Sequence, residues 1–223
     1  MPRLVTDTYP APLDDAALEA TWDAAWSSVG RLAPAGLRAE LMIAWSEPHR
    51  HYHDQRHLRE CLALWTRWRS QCRRPGEVAI ALWFHEAIYD PHASGNELNS
   101  AAWAARSLVR AGVDSDTAQR VHDLVTATQH DAPLAPGLSL DAHLVVDIDL
   151  SILGSPPAGF ERYDQDVRKE YAWVPASRYQ EARAQVLQSF LDRPQLYHCE
   201  HAMTLLEAQA RINLAAALSR LAQ

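Results

Sequence analysis

The chain has 223 residues, 48% of them hydrophobic and 22% charged, with only 8 glycines. This length suits one compact domain with a sizeable core, and the composition excludes a disordered chain. The formal net charge of −7 argues against a dedicated nucleic-acid-binding protein, which needs a basic face.

The N-terminus lacks a basic segment followed by an apolar run, and no stretch approaches 18 apolar residues. The three cysteines form no CxxC pair, which argues against a disulfide scaffold or a thiolate zinc site. We therefore expect a cytoplasmic protein that does not span a membrane.

Helical periodicity recurs along the chain. The apolar rows that predict helices are 58–68, 78–89, 121–128, 179–190 and 203–221. Ser94 and Glu97 have the spacing of a capping box, which predicts a helix from there to Gly112. Residues 133–137 and 155–160 are rich in proline and glycine and predict a loop and a turn. Hairpin signals are absent, so the predicted fold is all-α, a single-domain helical bundle.

The first candidate site lies in HRHYHDQRHL, which contains four of the 11 histidines. On a helix, His53 and His57 would stand one turn apart, a spacing that lets two imidazoles approach one cation. A solvated, histidine-rich start of a helix is the alternative. His57 is the histidine best placed at the edge of the core, because Leu58, Cys61 and Leu62 continue its side of the helix inward.

The second candidate site lies in LWFHEAIYD, where His85 falls on the apolar row 78–89 and Glu86 follows it. A buried imidazole must find a partner. Beside a carboxylate, it offers the mixed nitrogen and oxygen ligands that Mn²⁺, Fe²⁺, Co²⁺ or Zn²⁺ accept. A core histidine bonded to a backbone carbonyl is the alternative.

The third candidate site lies in HLVVDIDLSILG. On a helix, Asp149 is the one charged residue in an apolar row, and its buried charge would need a cation or strong donors. On a strand, Asp147 and Asp149 would share a face, as in phosphatases of the haloacid-dehalogenase type. We favour the helix, because neither flank shows the alternating strands of such a phosphatase.

Together these segments resemble the HD-domain superfamily of metal-dependent phosphohydrolases. The closer match is to a family with YH, WFHDxxYD, NExxSA and DxDLxILG motifs. The corresponding segments are Tyr52-His53, 83–90, 96–101 and 147–154, and RKEYAWVP at 168–175 is also similar. The resemblance covers about residues 45–215. It implies a metal-site core at about 45–155, with C-terminal helices at 160–221 packed on it.

The resemblance implies one divalent ion, whether Mn, Co, Ni, Fe, Zn or Mg, held by His57, His85, Glu86 and Asp149. This sequence departs from the family at Glu86, where the motif has an aspartate. Glutamate is a competent ligand, but its extra methylene must be absorbed, since metal–oxygen distances stay near ~2.0–2.2 Å. Lower activity, or none, is one consequence we consider.

The remaining site residues have weaker expected roles. Arg50 is the candidate for clamping a phosphate, since its planar fork matches two oxygens, and a surface position is the alternative. Asp90 and Glu97 are candidates for a general base or for orienting the water. Glu97 has a competing role in the capping box.

Four further residues are candidates for binding the substrate: His53, His130, Arg168 and Lys169. The two histidines are also the ligands available to a second metal. A charged helix surface is the alternative for Arg168 and Lys169. Asp147 is expected to face solvent or to orient a neighbour.

The predicted function is hydrolysis of a small anionic phosphoester, a nucleotide or a phosphorylated metabolite, by a metal-activated water. A catalytically weak or inactive regulatory domain that binds metal is the first alternative, and a di-iron oxygenase is the second. No nucleic-acid polymer or membrane is expected as a partner. The apolar row near the C-terminus suggests a homodimer.

Overall fold

The computed structural model describes residues 9–130 and 137–222. These residues form ten α-helices and two short 3₁₀ helices, with no β-strand among them, so the predicted all-α fold is confirmed. The helices are α1 (Asp15–Ser28), α2 (Leu37–Ala44), α3 (Gln55–Trp68), α4 (Pro75–Phe84), α5 (Asn96–Arg110), α6 (Ser115–Thr126), α7 (Leu140–Asp149), α8 (Pro157–Glu170), α9 (Ala176–Leu191) and α10 (Glu200–Leu221).

Helix α4 lies at the centre of the bundle, in contact with α1, α3, α5, α6 and α7. It is apolar on nearly every side, and residues 76–84 are all buried, as expected of a helix surrounded by others. The one charged residue among them, Glu77, accepts two hydrogen bonds from Arg120, at 2.6 and 2.8 Å. One continuous core extends from Leu18 in α1 to Ala217 in α10, which fits the predicted single domain.

Helix α3 begins later than the sequence predicts. Its N-cap is Asp54, whose carboxylate accepts the backbone N–H groups of Arg56 and His57. His57 therefore lies in the first turn, whereas His53 lies in the turn before the helix. The predicted pairing of His53 and His57 on one helical face is wrong, because the Asp54 cap starts the helix between them.

The predicted continuation of α4 to Tyr89 is also wrong. The helix ends at Phe84 with His85 as its C-cap, and the apolar Ile88 and Tyr89 follow in an irregular segment. The next helix, α5, uses Gly95 as its N-cap in a left-handed conformation (φ 81°) with no side-chain cap. The predicted capping box between Ser94 and Glu97 is therefore not formed.

The ambiguous segment around Asp149 is helical, which confirms the interpretation favoured from the sequence. Helix α7 ends at Asp149 and continues as the 3₁₀ helix Leu150–Gly154. The predicted turn at 155–160 is only partly present, since Pro157 already begins α8 as a proline at its first position. Most of the predicted loop at 133–137 lies outside the described residues.

Helix α10 packs against this 3₁₀ helix and α9. Gly154 permits the contact, because a Cβ there would lie 2.6 Å from the Cβ of Leu206 and 2.7 Å from its carbonyl oxygen. Most of the C-terminal apolar row, including Leu206, Ala210 and Leu214, is buried within the chain. The row that suggested a homodimer thus already has partners in the same molecule. Across residues 9–130 and 137–222, no helix has the length and hydropathy needed to cross a membrane.

Candidate metal centre

Three of the four predicted metal ligands meet in the interior of the bundle. His57 comes from the first turn of α3, His85 from the end of α4, and Asp149 from the end of α7. The Nε2 atoms of the two histidines are 3.0 Å apart. Asp149 Oδ1 lies 3.1 Å from the Nε2 atom of His57 and 3.4 Å from that of His85. Three distant parts of the sequence thus present their donor atoms to one point.

The spacing of these three atoms fits a shared cation. Ligands at ~2.1 Å from a metal are separated by about 3.0 Å along an octahedral edge and about 3.4 Å along a tetrahedral edge. The observed separations of 3.0, 3.1 and 3.4 Å fall in this range. Two imidazoles and a carboxylate also form the mixed donor set that borderline divalent metals accept.

The tautomer of His85 leaves the correct nitrogen free for a metal. Its Nδ1 lies 2.8 Å from the carbonyl oxygen of Leu82, which can only accept, so Nδ1 carries the proton. Nε2 is then the nitrogen directed toward His57 and Asp149, and a metal bound there would displace any proton that it carries. Both histidines are almost fully buried, with 0% exposure at His85 and 2% at His57.

The environment of the cluster disfavours protonation of His57 and favours the charged forms of His85 and Asp149. Burial, together with the charge of His85, lowers the pKa of His57 to about 4. Burial alone would lower the pKa of His85, but the charge and hydrogen bond of Asp149 raise it above its usual value. Burial alone would raise the pKa of Asp149, but His85 and hydrogen bonds from neighbouring histidines hold it well below its usual range.

The second oxygen of Asp149 is held by another predicted residue, His130. Its Nε2 lies 2.8 Å from Asp149 Oδ2. The Asp149 side chain is 11% exposed and that of His130 is 26% exposed, so this side of the cluster is the one that opens outward. His130 is therefore positioned to orient the carboxylate.

Cys61, one turn after His57, is the fourth member of the buried group of potential metal donors. Its sulfur is 3.7 Å from both Nδ1 and Nε2 of His57. A sulfur equidistant from the two nitrogens faces the ring rather than a lone pair at Nε2. Burial raises the pKa of the Cys61 thiol well above its usual value, which favours the protonated form. The position of the sulfur favours packing over ligation, whereas the raised pKa applies to the metal-free protein only, because a metal deprotonates a thiol that it binds.

Glu86 lies beside the cluster and is not one of the donor atoms that gather within 4.8 Å of one another. Its Oε2 is buried and has no hydrogen-bond partner. Burial raises the pKa of this carboxyl group, the nearby His53 and His85 lower it, and Asp149 raises it again. A buried carboxylate oxygen that has no hydrogen-bond partner and lies next to two imidazoles is available to bind a cation.

A cavity of about 520 Å³ lies against the open side of the cluster. Asp149, Glu86, His53 and His130 line it where it meets the cluster. Its remaining lining residues are mostly aliphatic or aromatic and come largely from the 3₁₀ helix 150–154, α8, the segment that follows α8, and α9. The cavity thus offers space for a small molecule beside a group of residues that could hold a metal ion.

His53 lines this cavity and is held by Glu170, the last residue of α8. Its Nδ1 is 2.7 Å from Glu170 Oε2, which also accepts the hydroxyl of Tyr89 at 2.8 Å. The other oxygen of Glu170 accepts the backbone N–H groups of His51, Tyr52 and His53 at 2.8–3.0 Å. Glu170 thus holds the turn that leads into α3.

The structure does not bring Arg50 to the cavity. Its guanidinium donates to Glu47 and to the backbone carbonyls of residues 53, 86 and 87, and it lies between the rings of Trp45 and Tyr89. Arg50 is buried, so it is not the surface residue considered as the alternative. In this arrangement its donors hold the backbone around Glu86 and are not free for a phosphate.

Arg168 and Lys169 also lie away from the cavity lining. Arg168 donates to the carbonyls of Tyr171 and Val174 and covers the ring of Tyr179. Lys169 forms an ion pair with Asp166 at 2.7 Å. Asp90 is exposed and accepts the backbone N–H of His92.

Glu97 is half-buried in the first turn of α5 and is not among the residues that line the cavity. Its charge is close enough to raise the pKa of Glu86.

Asp147 is fully buried, so the expectation that it faces solvent is wrong. Its carboxylate accepts the backbone N–H groups of His198 and Cys199, at 2.6–3.0 Å, and lies 3.0 Å from His198 Nδ1. It orients a neighbour, which was the other expectation, and that neighbour is the segment that begins α10. The helical geometry separates Asp147 from the histidine cluster and selects Asp149 for it.

Sequence reasoning missed the part played by Glu170 and the proximity of Cys61 to the cluster. Glu170 belongs to the row Phe160, Tyr163, Val167 and Glu170, where an acid in an apolar helical row is a detectable signal. Cys61 follows His57 by four residues and was assigned to the core, where it lies.

The sequence matches no known family profile, no curated protein and no solved structure.

Proposed function

We propose that this protein is a metal-dependent phosphohydrolase of the HD type, acting on a small phosphoester. The observation that carries the proposal is the cluster of His57 Nε2, His85 Nε2 and Asp149 Oδ1, separated by 3.0–3.4 Å beside a cavity. These separations match those between ligands that share one divalent cation. Its open side allows access to a substrate.

In this proposal His57, His85 and Asp149 hold one divalent ion, and Glu86 supplies a further oxygen after a small movement of its side chain. When bound, the ion would lower the pKa of a water molecule and neutralise charge on the phosphoryl group. His130 keeps Asp149 oriented through its hydrogen bond of 2.8 Å. His53, held by Glu170, provides a hydrogen-bond donor to the phosphoryl oxygens.

The proposed reaction is the hydrolysis of a phosphomonoester by water. The oxygen of water bonds to phosphorus, the bond from phosphorus to the ester oxygen breaks, and the departing oxygen takes up a proton. The products are inorganic phosphate and an alcohol. Positioning and electrostatic stabilisation account for most of the catalysis of such transfers.

The first experiment is metal analysis of the purified protein, followed by a screen of phosphoesters with Mn²⁺, Co²⁺, Ni²⁺, Fe²⁺, Mg²⁺ and Zn²⁺. We expect His57→Ala and Asp149→Ala to lose both bound metal and turnover while their circular dichroism stays helical. His201→Ala is the matched control, because His201 is exposed on α10. Cys61→Ala should keep its metal, since the thiol faces the His57 ring. Retention of metal and rate in Asp149→Ala would contradict the proposal.

One observation favours a second candidate, a regulatory domain that binds metal without catalysis. Glu86 lies outside the tight donor group, although the resembled family has an aspartate at this position. If the longer side chain accounts for low activity, Glu86→Asp should raise turnover sharply. A metal-loaded Glu86→Asp variant with no activity on any phosphoester would favour the regulatory domain.

A further inference from the structure

The cavity beside the metal cluster is apolar over most of its wall. Away from the cluster it is formed by aliphatic side chains such as Ile152, Val167 and Val186 and by aromatic ones such as Tyr163 and Phe190. Its volume of about 520 Å³ falls within the roughly 300–1,000 Å³ typical of small-molecule sites. A ligand bound against this wall would be stabilised by the burial of its apolar surface.

The cavity has no free positive charge among the described residues that line it. Arg183 is the one lysine or arginine in the lining, and both its Nε and its Nη2 donate to Asp164, at 3.1 and 2.9 Å. Its guanidinium also covers the ring of Tyr163 at 5.1 Å. A second phosphate or a carboxylate on a substrate would therefore find no unpaired cation here and would lose its hydration.

Two hydroxyl groups at the cavity remain without hydrogen-bond partners. The Oη atoms of Tyr52 and Tyr179 are buried, and both residues belong to the lining. A buried hydroxyl without a partner is costly. Because both oxygens are inaccessible to solvent, they add no polar group to the surface of the cavity.

We propose that this cavity binds the organic part of the substrate, and that this part is an uncharged, apolar group of about one or two rings. The inference rests on the proposed function, with the phosphoryl group at the metal cluster and the ring system against Ile152, Val186 and Phe190. The cavity should therefore favour aryl and similar apolar phosphomonoesters as substrates. It disfavours bisphosphates and nucleoside triphosphates, whose additional charges have no partner in the lining.

The test measures binding by calorimetry, so that it does not depend on turnover. Naphthylmethanol, which lacks the phosphoryl group, is titrated into the metal-free protein to test the cavity alone. Methylphosphonate, naphthylmethylphosphonate and a carboxylated form of the latter are then titrated into the Mn²⁺-loaded protein. These ligands separate the contributions of the phosphoryl group, the rings and a second charge.

A matched pair of variants locates the ring site. Ala182 lines the cavity from α9 and is exposed, so Ala182→Trp places an indole at the opening without disturbing the core. Ala216 is exposed on α10 outside the lining, so Ala216→Trp is the control. We expect Ala182→Trp to weaken naphthylmethanol binding by at least about tenfold, and Ala216→Trp to change it by less than about twofold.

In the loaded protein, naphthylmethylphosphonate should bind at least about tenfold more tightly than methylphosphonate, and the added carboxylate should remove this gain. If both phosphonates bind equally and naphthylmethanol does not bind, the cavity inference is overturned while the metal site stands. If naphthylmethanol binds in a way that Ala182→Trp abolishes, but Mn²⁺ adds nothing to the phosphonates, the ring site stands and the phosphohydrolase proposal fails.

Discussion

At the scale of single residues, the proton balance of the cluster makes a prediction about metal uptake. Asp149 holds a proton on His85, whose pKa is raised, and a metal at the same atoms must displace it. We therefore expect metal binding to release protons, with up to one proton per ion below the raised pKa of His85.

Titration calorimetry in buffers of different ionisation enthalpy measures this release. Below the raised pKa of His85, the apparent metal affinity should fall by up to about tenfold per pH unit. His57 does not add to this dependence near neutrality, because its pKa is lowered to about 4 and the imidazole is already neutral. An affinity that is constant from neutral pH down to pH ~5 would contradict the prediction.

Glu86 shows how a residue can be costly for stability and useful for binding. With its Oε2 buried and unpartnered, removing the charge by Glu86→Gln should stabilise the metal-free protein by about 1 kcal/mol. The same change should weaken metal binding by about 10- to 100-fold. Thermal unfolding of the metal-free protein and metal titration measure the two effects. Unchanged metal affinity would show that Glu86 is not a ligand.

At the scale of helices, Glu170 joins the end of α8 to the start of α3. One carboxylate accepts three backbone N–H groups of the turn 51–53, the Tyr89 hydroxyl and a hydrogen bond from His53. Replacing it by Glu170→Gln keeps the shape but removes the charge. We expect a loss of about 2–3 kcal/mol in the free energy of unfolding, measured in urea.

The pH dependence gives a further check on Glu170. Burial alone would raise its pKa, but His53 and the backbone N–H groups hold it below the usual range. Because the folded pKa is depressed, the stabilisation is fully present above the unfolded value near ~4.3 and is lost as the pH falls through the folded value. The difference between the wild type and Glu170→Gln should therefore shrink below pH ~4, and because Glu170 helps to raise the pKa of His53, it should also shrink as the pH rises through that pKa. A difference that grows as the pH falls below ~4 would contradict this assignment.

The helices also show what a sequence can and cannot predict. The apolar rows of α3, α6, α9 and α10 identified those helices, because burial of one face repeats every three to four residues. The end of α4 was not predictable in this way, since Ile88 and Tyr89 keep the row apolar after the helix has ended.

The site could be predicted from the sequence where one of its polar residues stands in an otherwise apolar helical row. His85 and Asp149 each interrupt an apolar row, so a partner had to exist. Glu170 and Asp147 are also buried acids, but their partners are backbone N–H groups of distant turns. No local pattern specifies such partners, because they depend on how the helices pack.

At the scale of the whole molecule, Asp147 ties the C-terminal helix to the helix that carries Asp149, the proposed metal ligand. Asp147→Asn should lower the free energy of unfolding by about 2–3 kcal/mol, because His198 and Cys199 lose a charged acceptor. It should leave the metal stoichiometry unchanged, in contrast to Asp149→Ala. Urea unfolding and metal analysis distinguish the two residues. Loss of metal with full stability in Asp147→Asn would reverse the assignment.

The short distance along α7 between these two aspartates has a consequence for the far end of the polypeptide. The carboxylate of Asp149 faces the histidines. The carboxylate of Asp147, two residues earlier, accepts hydrogen bonds from the backbone amides of His198 and Cys199. A ligand that binds only the native state suppresses opening of the segments coupled to it. Loading the ion should therefore slow deuterium uptake at those two amides, so that the segment leading into α10 reports whether the centre is filled.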